Sequence, residues 1–309
     1  MGRRARAGVR TPRMRTRAGA GVGIAFGGLV AAGAACVAYG VLVERHWYRL
    51  RRETLRVLQP GQPPCTVLHL SDFHLLTGDT RRQRFLAELA ELPADLVVVT
   101  GDILGEPAAL EVALDSLSRF RPRFGSVAVL GSNDYYAPQP KNYLAYFRRR
   151  RKRRLPLGHN PWRELVEGLE RMGWLVLRNQ RGRLGDLELA GMNDPHIRLD
   201  DLTVPAPAGG RASRLRIGVV HSPYQRSLNA FERSGYQLVL AGHTHGGQVR
   251  LPGIGALVTN CDLPRQRVRG LSRWGSSWLH VSAGLGTSKY APFRFACRPE
   301  ATLLTLVPA

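Results

Sequence analysis

Residues 18–43 carry no charged side chain, an apolar run of about 25 residues that as a helix is long enough to span a bilayer core. Beyond Pro63 the pattern changes to short apolar runs ending in polar residues, alternating with amphipathic stretches. This predicts strands over residues 65–70, 95–100 and 126–130, with helices over 81–92 and 106–119 between them. Strand, helix, strand, helix, strand implies a parallel α/β core. The rhythm resumes with a helix over 161–172 and strands over 174–177, 187–190 and 215–220. A helix over 225–233 and a strand over 237–240 follow, and residues 246–249 open further β structure that runs towards 303–306. A Pro/Gly-rich linker is expected at 204–210, and the chain shows no internal repeat.

Charge alters the picture mainly at the amino terminus. Seven arginines, Arg3, Arg4, Arg6, Arg10, Arg13, Arg15 and Arg17, precede the apolar run, which directs the amino terminus to the cytoplasm and the rest to the extracytoplasmic side. Arg45, Arg49, Arg51, Arg52 and Arg56 follow it and offset that bias. A cleaved signal peptide has a shorter apolar core, and a buried helix rarely has arginines at both ends, so an uncleaved single-pass anchor in the cell membrane is expected. The domain reading is a basic segment at 1–17, a transmembrane helix at 18–43 and a basic juxtamembrane linker at 44–62. A globular domain at 63–309 follows, with a basic insertion around 141–160.

The net charge of +22 comes almost wholly from arginine, because Lys141, Lys152 and Lys289 are the only lysines. It makes anionic partners plausible, phospholipid head groups and phosphorylated substrates foremost. The run from Arg148 to Arg154 is a solvated loop or a contact for such a head group. No stretch interleaves aromatic and basic residues for stacking on bases, which disfavours nucleic acid. Cys36, Cys65, Cys261 and Cys297 lack the spacing of a metal or redox pair, and only a Cys261 to Cys297 bridge is conceivable.

Five predicted strand ends carry possible metal ligands, which is where open α/β sheets gather their functional residues. They are Ser71-Asp72-Phe73-His74, Gly101-Asp102, Gly131-Ser132-Asn133-Asp134, His221-Ser222-Pro223 and Gly242-His243-Thr244-His245-Gly246-Gly247. Asp72 and His74, and likewise His243 and His245, are two residues apart, so an extended exit would point each pair the same way. Singly, each has a plain explanation: an aspartate after a strand caps a helix, and a loop histidine is solvated. Five in succession on one architecture are the signature of a site. Of the remaining histidines, His69 belongs to the core face of its strand. His196 either borders the pocket or lies in a plain loop.

The order Asp-x-His, Gly-Asp, Gly-Ser-Asn-Asp, lone His and Gly-His-x-His resembles the calcineurin-like metallophosphoesterase superfamily over residues 65–308. Gly242 to Val249 and Arg294 to Glu300 are similar to its membrane-associated bacterial branch. The resemblance implies a four-layer α/β/β/α sandwich, here preceded by one transmembrane helix. It further implies that Asp72, His74 and His245 hold one divalent ion, while Asp102 bridges to a second held by His221, His243 and an amide oxygen. Carboxylate, imidazole and amide ligands without thiolate suit Mn, Fe or Zn better than Ca. Two ions about 3.5–4 Å apart activate water and neutralise phosphoryl charge.

The chain departs from the family at residues 131–134, where Ser132 aligns with the ligand asparagine and Asn133 with a catalytic histidine. Either the loop shifts and Asn133 supplies the oxygen, or Ser132 or water does and Asn133 bonds the substrate. The expected activity is hydrolysis of a phosphoester or pyrophosphate bond on a lipid-linked or cell-envelope substrate, with Asp102, Asn133 and His221 in catalytic roles. The alternatives are a catalytically weak, phospholipid-binding scaffold and a nuclease.

Overall fold

The computed structural model describes residues 18–140, 158–206 and 213–309. The basic amino-terminal segment, the Arg148 to Arg154 run and most of the 204–210 linker lie outside the described residues. The apolar run forms one helix, α1 (Ala18–Leu42). Within it and the turn after it, Gly27–His46 has a mean hydropathy of 1.6, long and apolar enough to cross a membrane.

Two six-stranded sheets face each other. The first runs in the order β1 (Arg49–Leu58), β14 (Glu300–Pro308), β2 (Cys65–Leu70), β3 (Leu96–Thr100), β4 (Gly125–Val129), β5 (Leu175–Val176). In the second the order is β12 (Gly270–Trp274), β13 (Ser277–Val281), β9 (Leu238–Ala241), β8 (Leu215–Val220), β7 (Leu187–Met192), β6 (Gln180–Leu184). Strands β2 to β5 are mutually parallel, as are β7, β8, β9 and β13. Helices α2 (Thr80–Ala90), α3 (Leu110–Ser118) and α5 (Trp162–Arg171) connect strands of the first sheet or lead back to it, and α6 (Gln225–Arg233) links β8 to β9. The short turn α4 (Ser132–Tyr135) follows β4. A small hairpin, β10 (Arg250–Leu251) and β11 (Gly255–Ala256), stands apart.

Strand β3 shows why four layers form. All five of its residues are buried, and they alternate between two cores. Val97 and Val99 pack under the helices with Leu86, Leu117 and Leu169, whereas Leu96 and Val98 meet Ile217 and Leu240 of the second sheet. Each such side chain contributes about 1.5–3 kcal/mol when fully buried. Leu228 and Phe231 of α6 close the outer face of the second sheet against Val239 and Leu279, completing the α/β/β/α sandwich.

The expected juxtamembrane linker at 44–62 is corrected by β1. Arg49 to Arg56 pair in parallel with Glu300 to Val307, so the globular domain begins before Pro63. Only Leu55 and Leu58 of β1 are fully buried, and four arginines, Arg49, Arg51, Arg52 and Arg56, conceal the strand pattern. Charge on an edge strand is a common guard against further pairing, and Arg49 forms an ion pair with Glu300. Residues 246–249 differ as well: they turn through a 3-10 segment, His245–Gly247, before β10. All four cysteines are free thiols.

Candidate metal centre

The five sequence motifs converge at the carboxyl ends of parallel strands from both sheets. Asp72 and His74 follow β2, Asp102 follows β3, Asn133 follows β4, His221 follows β8, and His243 and His245 follow β9. All except Asn133 are at least nine-tenths buried. The backbone path is not the extended one expected from the spacing. Asp72, His74, Asp102, His243 and His245 all lie in the left-handed region, with φ of 51°, 44°, 52°, 68° and 49°. Such conformations cost about 1–2 kcal/mol per residue and persist where surrounding bonds impose them. Those bonds are present: Asp72 N, His74 N and Leu75 N donate to the carbonyls of Gly101, Asp102 and Ile103, each at 2.9 Å. At Gly242 only a missing side chain permits the fit, because a Cβ would lie 2.5 Å from Asp72 Oδ2 and collide with Ser71 Oγ.

Two triads of donor atoms each lie within 4.8 Å: Asp72, His74 and His245, and Asp72, Asp102 and His221. His74 Nε2 is 3.3 Å from His245 Nε2, and His245 Nε2 is 3.5 Å from Asp72 Oδ1. Metal bonds of ~2.0–2.1 Å give donor-to-donor edges of roughly 3.0–3.4 Å, so these spacings fit a shared cation. The tautomers fit too. His221 donates from Nδ1 to the Thr100 carbonyl at 2.6 Å, and His245 from Nδ1 to that of Gly286 at 3.1 Å. Each therefore presents an Nε2 lone pair, and the buried Nε2 of His221 makes no hydrogen bond among the described residues. His243 joins neither triad; its ring lies 5.2 Å from that of His221, and Nε2 faces the Asn260 carbonyl at 3.4 Å. A ring that donates through Nε2 keeps Nδ1 as its ligating nitrogen.

Burial pushes Asp72 up to about 6, against the pull of His221. Burial also opposes ionisation of Asp102, but His221 and the Asn133 N–H hold it well below the usual carboxylate range. His221, although buried, is raised well above an ordinary imidazole by Asp102, Asp194 and Asp72. His245 is lowered by burial and by the neighbouring His74. Anionic oxygens converging on a dry pocket favour a cation, and a divalent ion answers that field more fully than a proton.

A calcineurin-like phosphoesterase family model matches residues 65–247, more than half of the chain and every residue of both triads. The chain belongs to the calcineurin-like phosphoesterase family. Phosphodiesterase YaeI of Escherichia coli is 27% identical over 85% of this chain and 90% of its own length. The metallophosphoesterase YkuE of Bacillus subtilis is 28% identical over 92% of this chain and 93% of its own. A zebrafish transmembrane protein with metallophosphoesterase domain is 28% identical over 78% of this chain but 52% of its own length. The protein is thus a metal-dependent phosphoesterase, and the Asp/His cluster of this phosphoesterase indicates a dinuclear divalent-metal site.

Asp134, Asp194 and Arg294 support the phosphoesterase site through contacts that the sequence does not signal. Asp134 accepts from Ile103 N, Leu104 N and Gly131 N at 2.7–3.0 Å, tying together the loops that carry Asp102 and Asn133. Burial and the neighbouring Asp102 raise its carboxyl to about 7. Asp194 accepts from Ser222 Oγ and His196 N, and the His196 ring sits 4.6 Å from that of His243, which places His196 at the pocket rather than in a remote loop. Arg294 is fully buried and donates to the carbonyls of Ala283, Gly284 and Gly286 at 2.7–3.1 Å and to that of Cys297 at 3.2 Å. It braces the same Gly286 oxygen that orients His245. His69 pairs with His280 through Nδ1 atoms at 2.8 Å between the sheets, away from both triads.

Proposed function

We propose that the chain hydrolyses a phosphoester or pyrophosphate bond of a lipid-linked or cell-envelope substrate, held at the membrane by α1 with its catalytic domain on the extracytoplasmic side. Asp102 carries the catalytic part of this reading. Its Oδ2 lies 3.5 Å from His74 Nε2 and 3.4 Å from His221 Nε2, so one carboxylate reaches both halves of the centre. Asp72, His74 and His245 would hold one ion, Asp102 would be shared with the second, and His221, His243 and Asn133 would complete it. Asn133 is favoured over Ser132 because its side-chain amide approaches Asp102 Oδ2 at 2.6 Å, and a half-turn of that amide presents its oxygen instead. The donor set suits Mn, Fe or Zn. When bound, such a pair supplies an activated water and positive charge opposite the phosphoryl oxygens.

The chain's own residues set the rest of the chemistry. Residues 131–134 supply no imidazole to protonate a leaving group, a loss worth ~10²-fold or more for a poor one. A phosphate or activated alcohol leaves without that help, which favours a pyrophosphate or activated diester. The lipid-linked class rests on α1, on the arginines at both its ends and on the zebrafish relative's description as a transmembrane protein.

The test uses the full chain in detergent: count bound metals, then assay a chromogenic phosphodiester with and without chelator. Two ions per chain and chelator-sensitive turnover, both lost in Asp102→Ala, are expected. Full activity and two ions in Asp102→Ala would refute the bridge. Metal without turnover supports a scaffold instead, and DNA cleaved faster than lipid-like diesters supports a nuclease.

A further inference from the structure

The membrane helix is not a loose tether. Its last turns are seated on the loop that supports His245: Arg294 N donates to Gly40 O at 3.2 Å, and a Cβ at Gly40 would lie 2.5 Å from the Arg294 carbonyl. Tyr39 meets Phe295 edge-on at 6.5 Å. Just past the helix, the buried carboxylate of Glu44 accepts from Ala296 N and Cys297 N at 2.9 and 2.5 Å. Trp47, 52% exposed, carries the Arg298 guanidinium 3.9 Å above its ring. An exposed tryptophan beside arginine directly after an apolar span is the usual marker of the bilayer interface. Residues 294–298 therefore lie at interface level.

The β10–β11 hairpin is bonded to this same loop. Val249 bridges to Phe295, and Arg250 N donates to the Phe295 carbonyl at 2.9 Å. At and beyond its tip, Leu251, Ile254, Leu257 and Val258 are exposed, Ile254 by 70%. Arg250 and Arg265 line a cleft of about 600 Å³ with Leu251, Ile254 and Ala296. Four exposed aliphatic side chains within eight residues, flanked by arginine, match the chemistry of an anionic leaflet: acyl chains below, phosphates above. The hairpin is also continuous with the metal centre, since Arg250 Nη1 donates to the Gly246 carbonyl at 3.0 Å, one residue beyond His245.

We infer that the β10–β11 hairpin inserts its Leu251 to Val258 tip into the leaflet that α1 enters, so that the metal centre opens onto the membrane surface and takes its phosphoester from a lipid there. The lipid substrate rests on the proposed function; the insertion does not. The test reconstitutes the full chain, in a Cys36→Ser/Cys261→Ser background that removes the two accessible thiols, into nanodiscs of zwitterionic and anionic phospholipid. Ile254→Cys is labelled with an environment-sensitive fluorophore, and Ser276→Cys, at the exposed turn between β12 and β13, serves as the aqueous reference. Quenching of the Ile254 label by doxyl lipid, with protection from iodide that the Ser276 label lacks, is expected. Equal iodide quenching at the two sites would overturn the inference. So would iodide protection without lipid quenching, which would place a second protein copy on the hairpin.

The double variant Leu251→Asp/Ile254→Asp adds a kinetic reading. Its kcat/KM on a nanodisc-embedded phosphodiester is expected to fall at least tenfold, while a soluble diester is turned over at the wild-type rate. Equal retention on both substrates counts against the inference. A wild-type enzyme that cleaves only the soluble diester refutes the lipid class, and the quenching data then still decide the insertion.

Discussion

Arg294 offers the sharpest test of how the site is held. Its guanidinium is fully buried and makes no ion pair among the described residues; it donates instead to backbone carbonyls, the four nearest at 2.7, 2.7, 3.1 and 3.2 Å. Burial lowers its pKa, as befits a cation kept from water. Arg294→Met retains much of the packing but removes these four bonds, leaving Gly284 O with Glu300 N and Gly286 O with His245 Nδ1 as donors. A hydrogen bond to a charged donor is worth ~1.5–3 kcal/mol, and four give roughly 6–12 kcal/mol. Relief of the guanidinium's desolvation offsets several kcal/mol of that. The net destabilisation is about 2–4 kcal/mol, or on the order of 5–10 °C in Tm for a domain of this size. Loss of the bond to Gly286 O also frees the partner that fixes His245 Nδ1, so metal affinity falls at least tenfold, as removal of such outer partners generally causes. Differential scanning fluorimetry of the full chain, with and without added metal, reads both quantities. Arg294→Lys, which keeps the charge without the planar fork, should recover less than half of either loss. Unchanged metal affinity in Arg294→Met at lowered Tm would reduce Arg294 to a purely structural role, and an unchanged Tm would refute the account altogether.

Gly242→Ala places a methyl 2.5 Å from Asp72 Oδ2, and metal analysis should find the Asp72 triad depleted although the fold is retained by circular dichroism. His280 is lowered to about 3 by burial, so the unfolded chain takes up a proton first as pH falls. Its contribution is complete above about 6.5 and is lost between there and about 3, on the order of 5 kcal/mol at most. Denaturant titrations should therefore show a shallower stability slope over that window in His280→Gln. Because residues 131–134 lack an imidazole, rates across aryl diesters should fall steeply as the leaving-group pKa rises, and a flat dependence would place a proton donor elsewhere in the pocket.

Much of this molecule was legible along the chain because its determinants are local. An apolar run such as Leu96 to Val99 selects a buried strand through its own side chains, and a ligand that follows such a strand must emerge at its carboxyl end. All seven expected site residues accordingly stand at strand ends, whereas the two cores on either side of β3 are set by the second sheet, which its unbroken apolar run does not announce. Strand β1 was hidden because its arginines face the edge and mimic a basic linker; only pairing with β14, some 250 positions away, makes it a strand. The left-handed backbone at Asp72, His74, Asp102, His243 and His245 has no sequence signal, since these are not glycines and the strain is imposed by neighbouring loops. Arg294 and Glu44 likewise read as surface charges until the fold buries them against backbone atoms up to 253 residues distant. Residue type and spacing sufficed to place candidate ligands at strand ends; which of them converge, what supports them and how the apolar helix is attached were decided by tertiary contacts, because those bonds form between segments that the chain itself keeps far apart.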